Sequence, residues 1–196
     1  MALKIGTIGY AHLFPELPPS ARFRRYAKLF DSVELPQTYN RIPDKELVRR
    51  WVLRAPPGFV YSFRGPKHLH YRPSADERRT LRKFLRRYRL LGERRGGVRF
   101  TLPQDADPKA FSEWLAMLAE LGLPGDYAFE GPPDLVELAQ QTGYAAVGHE
   151  GGKFLYLIDP PAIPPKATGY AYFHHLEDAL RYSTLAQGGT NKNQTR

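Results

Sequence analysis

A short apolar run, a polar or proline-bounded turn and then an amphipathic helix recur along this chain, and that recurrence narrows the choice of fold more than any single residue does. Strands separated by helices pair in parallel, with the helices covering the sheet. The unit is clearest at residues 30–43. Val33 and Leu35 alternate there with Ser32 and Glu34, the period of two that a strand imposes, before residues 36–43 break into a polar turn. Glu34 therefore stands at a strand end, where a carboxylate must meet water, a partner or a ligand.

The same grammar can be followed in order. Residues 3–8 read as the first strand, and Ser20 is placed to cap a helix with Phe23, Ala27 and Phe30 at helical spacing. A helix from Asp44 carries Leu47, Val48, Trp51 and Val52 inward, and residues 59–63 alternate as a third strand. Ser74-Ala75-Asp76-Glu77 is a capping-box pattern, in which Ser74 accepts from the third helical amide and Glu77 reaches back to the cap. The helix it starts shows Leu81, Phe84, Leu85 and Tyr88 as a core stripe, and Gly96-Gly97 is read as the end of that unit. Strand four follows at 98–102, then a helix capped by Asp107 with Pro108 at its first position, strand five at 126–130 and a helix at 133–141.

Residues 144–147, 154–158 and 170–173 raise the strand count to eight, the number of a TIM-type (β/α) barrel. Residues 149–153 look like a hairpin link, whereas parallel neighbours call for a crossover of roughly a dozen residues. One antiparallel pair or an incomplete barrel is therefore expected, shortened or irregular in its C-terminal half, since such barrels run to about 250 residues. A helix at 178–186 completes a single domain over 1–187, and 188–196 reads as a polar disordered tail.

No apolar run approaches the roughly 20 residues of a membrane span, and the chain opens on a strand, so a cytoplasmic protein without membrane contact is expected. The absence of cysteine excludes thiol nucleophiles, disulfides and thiolate zinc sites. A formal charge of +9 favours anionic partners, and much of it lies between Arg72 and Arg95. Arg78, Arg82, Arg86 and Arg89 follow one helical face beside the core stripe.

Gly6-Thr7-Ile8-Gly9-Tyr10, Phe30-Asp31-Ser32-Val33-Glu34, Trp51, Pro56-Pro57-Gly58-Phe59, Ser62, Pro66, Phe100, Leu102-Pro103, Glu130 and Tyr170-Ala171-Tyr172-Phe173-His174-His175, the last where the family usually shows paired asparagines, resemble, in order, the motifs of the YecE-like family, domain of unknown function 72. That resemblance covers most of the chain and implies an α/β barrel without a settled activity. It also exposes departures: Pro36 stands where the family has asparagine, Arg64 where it has lysine and Thr101 where it has glutamine. Gly131-Pro132-Pro133 follows Glu130 where Phe-Arg-His is usual. Arginine cannot shuttle a proton as lysine can, so the departures imply binding without catalysis.

If the barrel closes, Thr7, Glu34, Arg64, Thr101, Glu130 and His174 stand near strand C-termini, the end at which such barrels bind ligands. One expectation is a small anionic, phosphate-bearing ligand, with Arg64 as anion ligand and Glu34 as positioning group. The bland counterpart is a Glu34–Arg64 ion pair ordering the rim. The alternative function is sequence-independent nucleic-acid binding by Arg78, Arg82, Arg86 and Arg89, against which stands an ordinary solvated helix face. No cofactor and no metal are expected, since His68-x-His70 and His174-His175 lack the spacing of a metal site, and no catalytic residue can be assigned.

Overall fold

The computed structural model describes residues 2–150 and 152–188. Its eight strands are β1 (Leu3–Ile8), β2 (Ser32–Leu35), β3 (Val60–Arg64), β4 (Arg95–Thr101), β5 (Asp126–Glu130), β6 (Ala145–Ala146), β7 (Leu155–Ile158) and β8 (Gly169–Phe173). They pair in the order β6-β5-β4-β3-β2-β1-β8-β7, each pair parallel. The two ends of that order meet through a parallel bridge between Val147 and Tyr156, where the Gly148 amide donates to the Tyr156 carbonyl at 2.8 Å. The sheet is thus a TIM-type α/β barrel, closed on its last side by a thin seam.

The seam corrects one expectation. The link from β6 to β7 is not an antiparallel hairpin, although it is shorter than an ordinary crossover and its described residues carry no helix. β6 is only two residues long, so the chain has little length to retrace before running parallel again.

Outside the barrel lie α1 (Pro19–Tyr26), the single turn α2 (Gln37–Asn40), α3 (Lys45–Arg54), α4 (Ala75–Arg89), α5 (Pro108–Glu120), α6 (Pro133–Gln141) and α7 (Leu176–Gly188). Asp44 accepts from the Leu47 amide at 2.7 Å and Ser74 from the Glu77 amide at 3.0 Å, so α3 and α4 start where their cap residues predict. Ser20 does not cap α1. Pro18, the observed cap, and Pro19 fix the entry two residues earlier, leaving Ser20 within the first turn. Glu77 is not spent on its own cap either: buried, it accepts from the His70 and Tyr71 amides at 3.0 and 2.9 Å and from Trp114 Nε1 on α5 at 2.9 Å. It ties the β3–α4 loop to two helices.

Gly96 and Gly97 do not end the helical unit but lie within β4. A Cβ at Gly97 would stand 2.7 Å from the Tyr156 ring, and one at Gly96 would stand 2.3 Å from Ser62 Oγ. Interior side chains occupy that space, so after Arg95 the strand continues with two residues without any. The larger core fills the layer between sheet and helices with Phe63, Phe84, Phe100, Phe111 and Trp114. A smaller one, built on Val60, Ala128, Tyr156, Tyr170 and Tyr172, fills the barrel itself. The expected tail falls largely outside the described residues, which end at Gly188 in α7. Among the described residues no helix is long and apolar enough to cross a membrane.

Candidate functional site

Side chains of strands that are not neighbours can touch only across the barrel interior, and one such contact set sits at its C-terminal half. Arg99 on β4 donates through Nε and Nη2 to Glu34 on β2, at 2.9 and 2.6 Å, the paired geometry that matches guanidinium to carboxylate. Its Nη1 donates to both oxygens of Glu130 on β5, at 2.9 and 3.0 Å. Tyr156 on β7 donates its hydroxyl to Glu34 at 2.7 Å, and Thr101 donates to Glu130 at 2.6 Å. Glu34 is wholly buried and Arg99 nearly so, while the Glu130 side chain keeps 27% of its surface exposed toward the mouth.

Burial lowers the Arg99 pKa, but Glu34, through charge and hydrogen bonds, followed by Tyr156 and Glu130, outweighs it and raises the value, so the guanidinium stays charged. Burial first, and then the Glu34 carboxylate, push the Tyr156 hydroxyl well above its ordinary pKa of 10, which keeps it a donor. The cluster is satisfied from within. With four hydrogen bonds to two carboxylates, Arg99 orders the barrel centre and has its charge matched from within.

Arg64, at the end of β3, is the cation nearest to this cluster that remains largely unspent. Its Nη2 donates to Thr101 at 3.3 Å, its guanidinium lies 4.3 Å from the Tyr39 ring centroid, and its Nε is shut from solvent without a partner. Four of the six expected mouth residues, Glu34, Arg64, Thr101 and Glu130, are therefore joined in one hydrogen-bonded chain through Arg99. Glu34 pairs with Arg99 and not with Arg64. Two positive and two negative groups leave this chain without net charge.

Thr7 and His174 stand apart from it. Thr7 faces the helix layer, where its amide and hydroxyl meet the Tyr26 hydroxyl of α1 at 2.8 and 3.1 Å. His174, exposed just beyond β8, bonds Asp159 at the end of β7 through Nδ1 and through its backbone amide, the latter at 2.9 Å. Burial, the largest single cause, disfavours the Asp159 carboxylate, but the hydrogen bonds from His174 together with the charges of His174 and His175 outweigh it and lower its pKa. Among the described residues no three His, Asp or Glu side chains gather as metal ligands.

Arg99 and Tyr156 are the members that sequence reasoning passed over. Arg99 carried a signal: alternation along β4 puts it on the side of Gly97 and Thr101, so a charge had to enter the barrel. Tyr156 carried none, since a tyrosine between leucines fits an ordinary strand.

The basic face forms a second site. Along α4 runs an open groove of about 960 Å³ in which eight of ten lining residues are lysine or arginine and none is acidic. Arg78 pairs with Glu120 and Arg79 with Asp76. Arg82, Lys83, Arg86, Arg87, Arg89 and Lys45 of α3 make no ion pair among the described residues. A concavity of about 380 Å³ shares Lys83 and Arg87 and adds Arg41 and His68.

An eight-stranded parallel barrel with a charged cluster at its C-terminal half defines the class as TIM-type α/β. The chain belongs to the DUF72 family, described as proteins of unknown function, whose model matches residues 8–131. Two solved DUF72 structures share the fold. The one from Thermotoga maritima has a TM-score of 0.72 at 16% identity, over 95% of this chain and 100% of the other. The one from Enterococcus faecalis has a TM-score of 0.68 at 14% identity, over 97% and 98%. No curated protein matches.

Proposed function

We propose that this barrel binds polyanions, nucleic acid foremost, along the cationic groove of α4 and without reading sequence. The observation that carries the reading is the lining: six cations that make no ion pair among the described residues face one open groove whose described lining contains no carboxylate. Barrel helices expose one face as a rule, but a solvated face normally mixes both signs of charge. The mouth, where two carboxylates match the Arg99 charge, has no excess of positive charge to draw a phosphate there first.

Binding driven by phosphate neutralisation weakens linearly in log–log salt plots, with a slope of about −0.9 per engaged phosphate on B-DNA. The R78Q/R82Q/R86Q/R89Q variant is expected to flatten that slope at unchanged fold stability, measured by fluorescence anisotropy and thermal melting. Failure of the wild-type protein to bind any DNA or RNA at low salt ends the proposal.

A second reading keeps a small phosphate-bearing ligand at the mouth. It is favoured by Arg64, whose side chain makes one hydrogen bond, at 3.3 Å to Thr101, whose Nε has no partner and whose plane lies over the Tyr39 ring. Inorganic phosphate or pyrophosphate should then raise the melting temperature of the wild-type protein and not of R64Q.

A further inference from the structure

We infer that the occupant of the α4 groove is a double-helical nucleic acid, held by its phosphates with its bases untouched. This rests on the polyanion reading above and narrows it to one partner. From Arg78 to Arg89 α4 advances roughly 16 Å, and over that distance a duplex carries about ten phosphate charges, about five on each strand. Arg82 with Arg86, and Lys83 with Arg87, form two adjacent rows of one helical turn each, in which successive Cβ atoms stand about 5–6 Å apart. Two rows of fixed cations suit a surface that presents two rows of phosphates.

What the groove lacks selects further. A single strand bound without sequence preference is held by a basic groove together with aromatic side chains on which its bases stack. The two uncharged lining residues are Ala75 and Leu90. Both rings of α4, Phe84 and Tyr88, are packed into the core at 0% and 1% exposure. His68 is the one aromatic ring among the described residues lining the adjoining concavity, and it does not line the groove. A duplex turns its bases inward and asks for no such platform.

Anisotropy titrations of the full chain with a labelled duplex of about 20 base pairs and with either strand alone test this, between 50 and 200 mM salt. The duplex is expected to bind at least about tenfold more tightly than either strand, and to lose about 10³-fold in affinity across that range if about six phosphates are engaged. R82Q/R86Q/R89Q should reduce the duplex slope by about three. R82K/R86K/R89K, which keeps the charge and guards against misreading a folding defect, should retain binding. H68A should bind as the wild type does.

Equal or tighter binding of the single strands, or a loss of affinity in H68A, overturns the duplex assignment while leaving the polyanion groove standing. Silence of both nucleic acids at 50 mM salt removes the groove reading itself. So does duplex binding that the R82Q/R86Q/R89Q substitutions leave unchanged.

Discussion

Arg99 holds two carboxylates at once, so its replacement measures what the charged cluster contributes. In R99M, Glu34 would keep only the Tyr156 hydroxyl while remaining wholly buried. Stranding one member of such a pair costs about 3–5 kcal/mol. Urea denaturation should show a loss of that order for R99M, and R99M/E34Q should recover part of it because no unpaired charge is then buried. Equal stability of the two variants would mean that Glu34 finds water or a proton instead. At this scale the sequence was legible where a carboxylate ended a strand: Glu34 and Glu130 do lie at the barrel's C-terminal half. It misled over the partner, because Arg64 and Arg99 both occupy inward positions on adjacent strands and only side-chain reach decides which one meets Glu34. Thr7 was misplaced for a different reason. Alternation fixes that Ile5 and Thr7 share a face of β1, but a threonine suits either face, and the Tyr26 hydroxyl draws it outward.

Helix starts were the most readable elements, since a cap is a local bond between residues three apart; Asp44, Ser74 and Asp107 all serve as expected. Glu77 shows the limit of local pattern. Three donors converge on its carboxylate from the preceding loop and from α5, and hydrogen bonds to a charged acceptor are worth about 1.5–3 kcal/mol each. E77A should therefore destabilise by about 3 kcal/mol or more, with an earlier thermal transition. E77Q should lose less, because an amide oxygen still accepts from the loop. S74A removes the cap alone and should cost about 1 kcal/mol. If E77A proves no worse than S74A, the loop bonds contribute little. The strands were readable in number and order, while Gly96-Gly97 and the β6–β7 link were not. Both depend on how much room the opposite wall leaves, which no window of sequence contains.

For the whole molecule, the crowd of buried tyrosines makes alkaline stability a global property. Burial is the chief cause that raises the pKa values of Tyr26, Tyr71, Tyr88, Tyr127, Tyr156, Tyr170 and Tyr172. The unfolded chain ionises these groups near pH 10 while the native state keeps them protonated. Their contribution is thus complete below pH 10 and is lost as pH rises toward the folded values. Each removes about 1.4 kcal/mol per pH unit in that window. Phenolate absorbance should rise together with loss of near-ultraviolet circular dichroism, as one transition; ionisation of most tyrosines in a still-folded protein would contradict the packing.

The seam between β6 and β7 has a kinetic consequence. Tyr156 accepts from the Gly148 amide there with its carbonyl and donates to Glu34 in the centre with its hydroxyl. Parting the two strands at that point would shift both ends of one residue together. Proton exchange with solvent at the Gly148 amide and at the Tyr156 hydroxyl should then report a single opening event, slower at both sites in proportion as the event is rarer. R99M, by loosening Glu34, should speed the two in step. A barrel wall two residues long would in this way set how often water reaches the charge at its centre.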